Sequence, residues 1–209
     1  MPADVPVDRL RAYNVSRESL AKLEAYVSLL LQWQRRFNLI GPSTTETIWD
    51  RHILDALQLL PLFAGGVRSV ADLGSGAGIP GLVLSLAGNL EAHLYESNGK
   101  KTAFLREAIR QTGAKAHVHQ VRLEDLPKVT GVPDVDAVLA RALAPLRQLL
   151  DYAQPFIANG TRAFFHKGQD FEAELTEANK YWRLNFTRHP SQTDSRGIIL
   201  EVLEAVRVR

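Results

Sequence analysis

The spacing of apolar residues at the start of the chain predicts two amphipathic helices. Leucine, valine and phenylalanine recur at steps of three and four positions over residues 16–38, with charged and amide side chains between them, and this period predicts one helix. Ser43 and Glu46 have the spacing of a capping box, which predicts that a second helix begins there and covers residues 43–60. Residues 1–15 show no such period and are predicted to form an irregular lead-in.

Beyond this region short apolar segments alternate with helical patterns. Seven strands are predicted, over residues 67–73, 91–96, 116–121, 135–141, 161–167, 184–188 and 198–206. Helical patterns follow the first, second, fourth and fifth of them. This alternation is typical of an α/β fold with a doubly wound, mostly parallel sheet, and the last two strands are expected to run antiparallel. We expect the helical extension (1–60) to pack on the sheet-bearing core (61–209) as part of one structural unit.

A glycine-dense turn after the first predicted strand is the strongest candidate for a binding site. Gly74, Gly76, Gly78 and Gly81 fall within eight residues, between a predicted strand and a predicted helix. Without side chains there, a ligand can lie directly on the backbone at the carboxyl edge of the sheet. Two ligand classes fit such a turn: a dinucleotide, through its pyrophosphate, and S-adenosylmethionine, which is a cation at its sulfonium and its ammonium group.

Two carboxylates near this turn bear on the choice between those ligands. Asp72 precedes the first glycine closely, where its negative charge repels a pyrophosphate and attracts a cation. Glu96 ends the second predicted strand, about 20 residues further on, where a ribose hydroxyl is usually bound, and it serves both ligands equally. Asp72 therefore favours S-adenosylmethionine over a nicotinamide dinucleotide.

Two further segments reach the same predicted edge of the sheet. Leu123 and Glu124 follow the third strand. There either Glu124 or Asp125 accepts a hydrogen bond from an adenine amine, or the two residues form the acidic start of a helix. Arg141 ends the fourth strand among small apolar residues, where its guanidinium can bind a cofactor carboxylate or a substrate phosphate.

Composition narrows the chemistry. The chain has 25 Lys and Arg residues against 23 Asp and Glu, so its net charge of +2 leaves room only for a local basic surface. It has no cysteine, which excludes disulfides, thiolate metal sites and a cysteine nucleophile. His117 and His119 share one face of a predicted strand without a third ligand at a recognisable spacing, so no metal site is expected. Neither a secretory leader nor a membrane-spanning run is recognised, and a cytoplasmic protein is expected.

The missing nucleophile also bears on the methyl acceptor. Methylation of pyrimidine carbon-5 commonly needs a cysteine. Methylation of an exocyclic amine typically uses an Asn/Asp-Pro-Pro-aromatic tetrapeptide after the fourth strand, where this chain has Ala-Arg-Ala-Leu at 140–143. An atom that carries a free lone pair, such as guanine N7, needs only in-line placement against the methyl group. The sequence is therefore compatible with methylation at N7.

Candidate RNA contacts are basic side chains near the same edge. Lys100 follows the second strand and Lys167 ends the fifth, and Arg196 belongs to a wider set that includes Arg35, Arg36, Lys101, Arg106, Arg207 and Arg209. Beside Trp33 and Phe37, the pair Arg35-Arg36 either contacts nucleic acid or forms a solvated helix face, and the second interpretation is favoured.

Eight segments together resemble one family, the small-subunit (16S) ribosomal RNA guanine-N7 methyltransferases, also called glucose-inhibited division protein B. They run in family order over residues 37–39, 51–55, 72–81, 96–101, 104–106, 122–125, 141–142 and 167–169. The glycine turn alone indicates only a class I methyltransferase. The Arg-His-Ile-Leu-Asp and Lys-Gly-Gln segments narrow the resemblance to this family.

The resemblance implies a Rossmann-like class I methyltransferase that takes S-adenosylmethionine as donor and a guanine of 16S ribosomal RNA, free or in the small-subunit particle, as acceptor. By position it implies cofactor contacts at Gly74 and Ile79, the ribose at Glu96, the adenine side at Leu123 and Glu124, and the methyl-transfer cleft at Arg141, the expected catalytic residue. A nicotinamide-dependent oxidoreductase and a non-catalytic ribosome-assembly factor with a retained cofactor pocket are the alternatives.

Overall fold

The computed structural model describes residues 5–63 and 66–208, and a seven-stranded sheet forms its centre. The strands are β1 (Ser69–Leu73), β2 (Glu91–Tyr95), β3 (Ala116–His119), β4 (Ala137–Arg141), β5 (Arg162–Lys167), β6 (Trp182–Pro190) and β7 (Ile198–Arg207). They are ordered β3-β2-β1-β4-β5-β7-β6, and the pairs β5–β7 and β6–β7 are antiparallel whereas the others are parallel. The predicted mostly parallel sheet with two late antiparallel strands is confirmed.

Helices cover both faces of this sheet. They are α1 (Val7–Arg11), α2 (Arg17–Gln34), α3 (Asp55–Leu57), α4 (Gly81–Gly88), α5 (Gly99–Thr112), α6 (Leu146–Ile157) and α7 (Phe171–Ala178). Helices α2, α4 and α5 share one hydrophobic cluster with one face of the sheet, and α6 and α7 share a second cluster with the other face. Strands enclosed on both faces need apolar residues at nearly every position, which is why β1 and β4 are almost uniformly buried.

The N-terminal helices are part of this packing. The first cluster runs from Leu10 through α2 and the central strands to Ile199 on β7. Helix α2 begins where the sequence predicts, because the Ser16 hydroxyl accepts a hydrogen bond from the Ser19 amide at 3.0 Å. The prediction of an irregular lead-in is wrong for residues 7–11, which form α1 with Leu10 only 2% exposed; residues 1–4 lie outside the described part.

The prediction of one continuous second helix is also wrong. The segment consists of a 3-10 turn (Pro42–Thr44), a π-helical turn (Trp49–Leu54), the short α3, and a second 3-10 turn (Leu60–Phe63). In place of the predicted capping box, the hydroxyls of Thr44 and Thr45 bind the carbonyls of the preceding Gly41-Pro42 pair. Such local side-chain bonds compete with regular helix formation. The wider π turn changes the direction of the side chains that follow it, and these belong to the site described below.

Candidate active site

The glycine turn joins β1 to α4 and exposes backbone at the carboxyl end of the sheet. Gly74, Gly76 and Gly78 have φ of +67°, +59° and +87°, a region that side chains rarely adopt. A Cβ on Gly74 would lie 2.5 Å from the end of the Leu143 side chain, so a larger residue at position 74 would also displace Leu143. Around Gly76 the nearest atom to such a Cβ is 3.9 Å away. The turn is therefore closed on its protein side and open above Gly76.

Three hydrogen bonds fix the turn to the rest of the fold. The Ser75 hydroxyl donates to the Asp72 carbonyl at 2.8 Å, and the Ser75 amide donates to the Tyr95 carbonyl at 3.0 Å. From the side of α2, the buried Tyr26 hydroxyl donates to the Ala77 carbonyl at 2.7 Å. Because these anchors come from β2 and α2, the backbone of the turn is held in its shape before any ligand binds.

Glu96 lies across the open side of the turn. It follows β2 directly, and its side chain accepts the Gly76 amide at 3.0 Å and the Asn98 amide at 2.8 Å. The residue is 8% exposed. An ionised carboxylate has about four acceptor positions, so Glu96 retains capacity for hydroxyl donors while it is held by these two amides.

Asp72 is the least satisfied ionisable group near the turn. It is 1% exposed; one carboxyl oxygen accepts the Gly81 amide at 3.0 Å, and the other oxygen, Oδ1, has no hydrogen-bond partner. Burial raises the pKa of Asp72 from 3.8 to about 7, the nearby Glu96 adds to the increase, and Arg141 opposes it. A buried carboxylate with a free oxygen stabilises a cation placed next to it and disfavours an anion. The residues of the turn therefore fit a cationic ligand.

Arg141, at the end of β4, is held by the π turn and by the first residue of α3. Its Nε donates to Asp55 Oδ2 at 2.8 Å, one terminal nitrogen donates to the Arg51 carbonyl at 2.6 Å, and the other lies 3.0 Å from His52 Nδ1. Burial, with the charge of Arg141, lowers the pKa of His52 to about 4, so His52 is neutral at physiological pH. The Thr44 hydroxyl already donates to a carbonyl, so His52 Nε2 donates to it at 2.7 Å and Nδ1 accepts from Arg141.

Asp55 connects this cluster to the far end of the sheet. Its Oδ1 accepts hydrogen bonds from Gln58 Nε2 at 2.8 Å and from the Thr193 hydroxyl at 2.5 Å. The imidazole of His166, next to Arg141 in the β4–β5 register, donates from Nε2 to the Asp55 carbonyl at 3.0 Å. Residues from the π turn, β4, β5 and the loop between β6 and β7 therefore fix the position of one guanidinium.

The remaining predicted cofactor residues lie around this edge. Ile79 is 7% exposed in the glycine turn, and Leu123 is 8% exposed at the start of a 3-10 turn (Leu123–Lys128). Glu124 is exposed and accepts a hydrogen bond from the Tyr152 hydroxyl at 2.6 Å, which lowers the pKa of Glu124. The adenine contact predicted for Glu124 therefore stays a prediction, made for a side chain that has a protein partner.

The predicted RNA contacts lie in different surroundings. Lys100 is exposed, with its ammonium 5.5 Å from the centre of the Phe37 ring. Lys167 has a side chain only 6% exposed and forms an ion pair with Glu174. Arg196 is exposed and donates to the Gln169 side chain at 3.1 Å. The burial of Lys167 gives this side chain a structural role, whereas Lys100 and Arg196 are accessible.

The described residues offer neither a metal-binding cluster nor a membrane-spanning helix. Among the described residues no group of three or more His, Cys, Asp or Glu side chains could hold a metal ion. His93 lies between the predicted pair: its Nδ1 is 3.1 Å from His119 Nε2, and its ring stacks on that of His117. Within the same residues, every helix is too short or too polar to cross a bilayer.

Sequence reasoning missed the supporting residues of the site. The helical pattern over residues 16–38 includes Tyr26 without marking it, and Asp55 enters the sequence analysis only as the last residue of the segment 51–55. Thr193 was not singled out at all. A polar residue on an otherwise apolar helix face is a usable signal for Asp55, but a contact between positions 138 residues apart leaves no local pattern.

Comparison with known proteins identifies relatives of this chain. The family model GidB, rRNA small subunit methyltransferase G, matches residues 19–196. Relatives named ribosomal RNA small subunit methyltransferase G include one from Rhodospirillum rubrum, 47% identical over 98% of this chain and 96% of the relative. Another, from Paramagnetospirillum magneticum, is 45% identical over 98% of both chains.

Solved structures of lower sequence identity share the fold. The chain superposes with a TM-score of 0.58 on a mutant of MtNAS in complex with S-adenosylmethionine, at 18% identity, covering 88% of this chain and 74% of that one. With TrmN from Thermus thermophilus the TM-score is 0.56 at 21% identity, over 74% of this chain and 49% of that one. The chain belongs to the rRNA small subunit methyltransferase G family, so the predicted S-adenosylmethionine-dependent methyltransferase with a Rossmann-like fold is confirmed.

Proposed function

We propose that this protein transfers a methyl group from S-adenosylmethionine to N7 of a guanine in the 16S ribosomal RNA. The observation that carries the proposal is the pair of carboxylates, Asp72 and Glu96, on either side of a bare backbone turn. This arrangement suits a donor that is cationic at its methyl-bearing end and carries ribose hydroxyls. S-adenosylmethionine supplies an electrophilic methyl group on a positively charged sulfur.

The protein's own contribution is binding, orientation and charge. The amides around Gly76 and the Glu96 carboxylate hold the donor at the carboxyl edge of the sheet. The free oxygen of Asp72 favours positive charge in the pocket, and it does so fully only when the carboxyl group is ionised. The hydrophobic residues Ile79 and Leu123 exclude water from the edges of this pocket.

Arg141 is suited to positioning the acceptor. Arginine has five N–H donors, and three of these are used by Asp55, His52 and the Arg51 carbonyl. The remaining two can bind an RNA phosphate or the donor's carboxylate without loss of the existing contacts. Guanine N7 attacks with its own lone pair, so the step needs alignment but no proton acceptor. A fixed guanidinium at the end of β4 provides such alignment.

Methyl transfer to unmodified small-subunit particles tests this proposal. We expect labelled methyl from S-adenosylmethionine to appear as 7-methylguanosine, located by mass spectrometry of the digested RNA, and to fall at least about 100-fold in Glu96→Ala, because the ribose contact is lost. Methylation at another atom would overturn the N7 assignment. Tight cofactor binding without any transfer would favour the assembly-factor alternative instead.

A further inference from the structure

A groove outside the cofactor turn runs between α2 and α5. It has a volume of about 570 Å³ and is open to solvent. Its walls include Leu29, Gln32, Trp33, Ala103, Arg106 and Arg110. The C-terminal half of α2 and one side of α5 thus form a continuous face of the molecule, which we call the α2–α5 face.

Positive charge predominates on the α2–α5 face. Residues 25–45 contain no Asp or Glu, although they include Arg35 and Arg36 at the end of α2. On α5, Lys101 and Arg106 add two more cations. None of these four side chains forms an ion pair within residues 5–63 and 66–208.

The one acidic side chain in the groove is already neutralised. Glu107 accepts two hydrogen bonds from Arg110, at 2.7 and 2.8 Å, and one from Gln111 at 2.7 Å. Elsewhere in the fold, basic side chains such as Arg162 and Arg188 are engaged by carboxylates. The α2–α5 face therefore carries an excess of positive charge from side chains without an ion pair.

Aromatic rings lie between these cations. Trp33 is half-buried and packs edge-on against Phe104 on α5, with ring centres 5.6 Å apart. The same indole is 5.6 Å from the ring of Phe37, over which the Lys100 ammonium lies at 5.5 Å. Half-buried rings among unpaired cations are the combination that binds single-stranded or looped RNA, in which cations contact phosphates and rings contact bases.

The α2–α5 face is connected to the cofactor turn by direct contacts. Asn98 caps the start of α5 through its side chain, and its own amide is held by Glu96. On the other helix, Tyr26 binds the turn at Ala77. An RNA strand lying on this face would therefore approach the open edge of the sheet where the methyl donor is expected.

We propose that the α2–α5 face binds the phosphate backbone of the RNA substrate and directs the acceptor loop towards the cofactor turn. This inference rests on the proposed function, because it takes the substrate to be RNA. It assigns binding to Arg35, Arg36 and Arg106, and it departs from the sequence-based interpretation of the first two as a solvated helix face.

The test is RNA binding by a triple variant, Arg35→Ala, Arg36→Ala and Arg106→Ala. All three side chains are exposed, so the fold should be retained. A matched control removes three exposed cations from other surfaces: Arg68→Ala, Lys115→Ala and Arg183→Ala. Binding of unmodified 16S RNA transcript is measured by filter retention at salt concentrations from about 50 to about 300 mM, a range that includes physiological ionic strength.

If the three arginines contact phosphates, the slope of log affinity against log salt falls by about 2 to 3 in the triple variant, with affinity at least about 10-fold weaker near 0.15 M salt. The control should keep the wild-type slope, and both variants should bind S-adenosylhomocysteine as the wild type does. A wild-type slope in the triple variant would overturn the proposal. So would retained RNA affinity combined with lost binding to poly-glutamate, which would indicate an acidic protein partner.

These outcomes are separable from those of the proposed function. If the wild-type protein does not methylate guanine N7 and the triple variant loses RNA binding, the assignment of the α2–α5 face is supported and the proposed reaction is wrong. If it methylates N7 and the triple variant has an unchanged KM for the small-subunit particle, the reaction stands and the assignment of this face is wrong.

Discussion

Replacing Asp72 by asparagine tests the electrostatics of the site most directly. The carboxyl group is 1% exposed, one oxygen is unpartnered, and the pKa is raised from 3.8 to about 7 because burial disfavours the charged form. Asparagine has nearly the same shape and can still accept the Gly81 amide through its oxygen, but it cannot ionise. The variant therefore removes the charge and keeps most of the packing.

The raised pKa of Asp72 determines how the stability of the wild-type protein changes with pH. Below pH 3.8 both the folded and the unfolded chain carry a protonated Asp72, and ionisation has no effect on stability. Between pH 3.8 and about 7 the unfolded chain ionises while the folded chain keeps its proton, so wild-type stability falls as pH rises. The pKa of Asp72 differs by about three pH units between the unfolded and the folded chain, which corresponds to about 4 kcal/mol of stability. This stability is fully lost above about pH 7.

The assay is urea unfolding of wild type and Asp72→Asn at several pH values from about 4 to 8.5. Other titrating groups are common to both proteins, so the difference between the two free energies of unfolding isolates Asp72. We expect this difference to shift in favour of the variant by up to about 4 kcal/mol across that interval. A difference independent of pH would refute the raised pKa and with it the buried, unsatisfied carboxylate.

The same shift predicts proton release on cofactor binding. If the cationic donor requires ionised Asp72, about half a proton per site is released at pH 7, because a group with a pKa of about 7 is then half protonated. Calorimetric titration with S-adenosylmethionine in two buffers of different ionisation enthalpy measures this number. The Asp72→Asn variant should release none and bind more weakly; equal proton release by both proteins would contradict the assignment.

Two further predictions concern the turn and the Arg141 cluster. Gly76→Ala and the control Gly160→Ala both place a side chain at positive φ, +59° and +84°. Each variant should therefore lose about 1 kcal/mol of stability. Only Gly76→Ala should also lose cofactor affinity, measured by titration with S-adenosylhomocysteine. Asp55→Ala leaves the buried Arg141 unpaired and should destabilise by about 3 kcal/mol, whereas Asp50→Ala, which removes an exposed ion pair, should change stability by less than about 1 kcal/mol; equal losses would contradict the role of Asp55.

The sequence identified the edge of the sheet where the site lies, because glycine spacing and strand ends are local features. It placed Asp72, Glu96 and Arg141 at that edge. In the structure the charges of Glu96 and Arg141 are close enough to influence the pKa of Asp72. It could not identify the partners of these groups. The bond from Thr193 to Asp55 spans 138 positions and depends on the register of β6 and β7, which no short pattern encodes.

Local competition explains the failures nearer the N-terminus. Ser43 and Glu46 have the spacing of a helix cap, but the neighbouring Thr44 hydroxyl binds Gly41 and His52 and starts a different geometry. Further along the chain, Lys167 ends a strand on the expected side and pairs with Glu174 on α7, and its predicted contact with RNA stays a prediction.

The contacts that Asp55 and Gln58 make with the loop between β6 and β7 bear on the order in which the protein folds during its own synthesis. Gln58 and Asp55 are among the early residues to leave the ribosome, yet their hydrogen bonds to the backbone of Gln192 and the hydroxyl of Thr193 form only after translation of the last strands has begun. The central parallel strands can assemble before that point, but the guanidinium they carry lacks its complete support. We therefore expect nascent chains that stop short of this loop to be folded in part, with Arg141 not yet held in its final position.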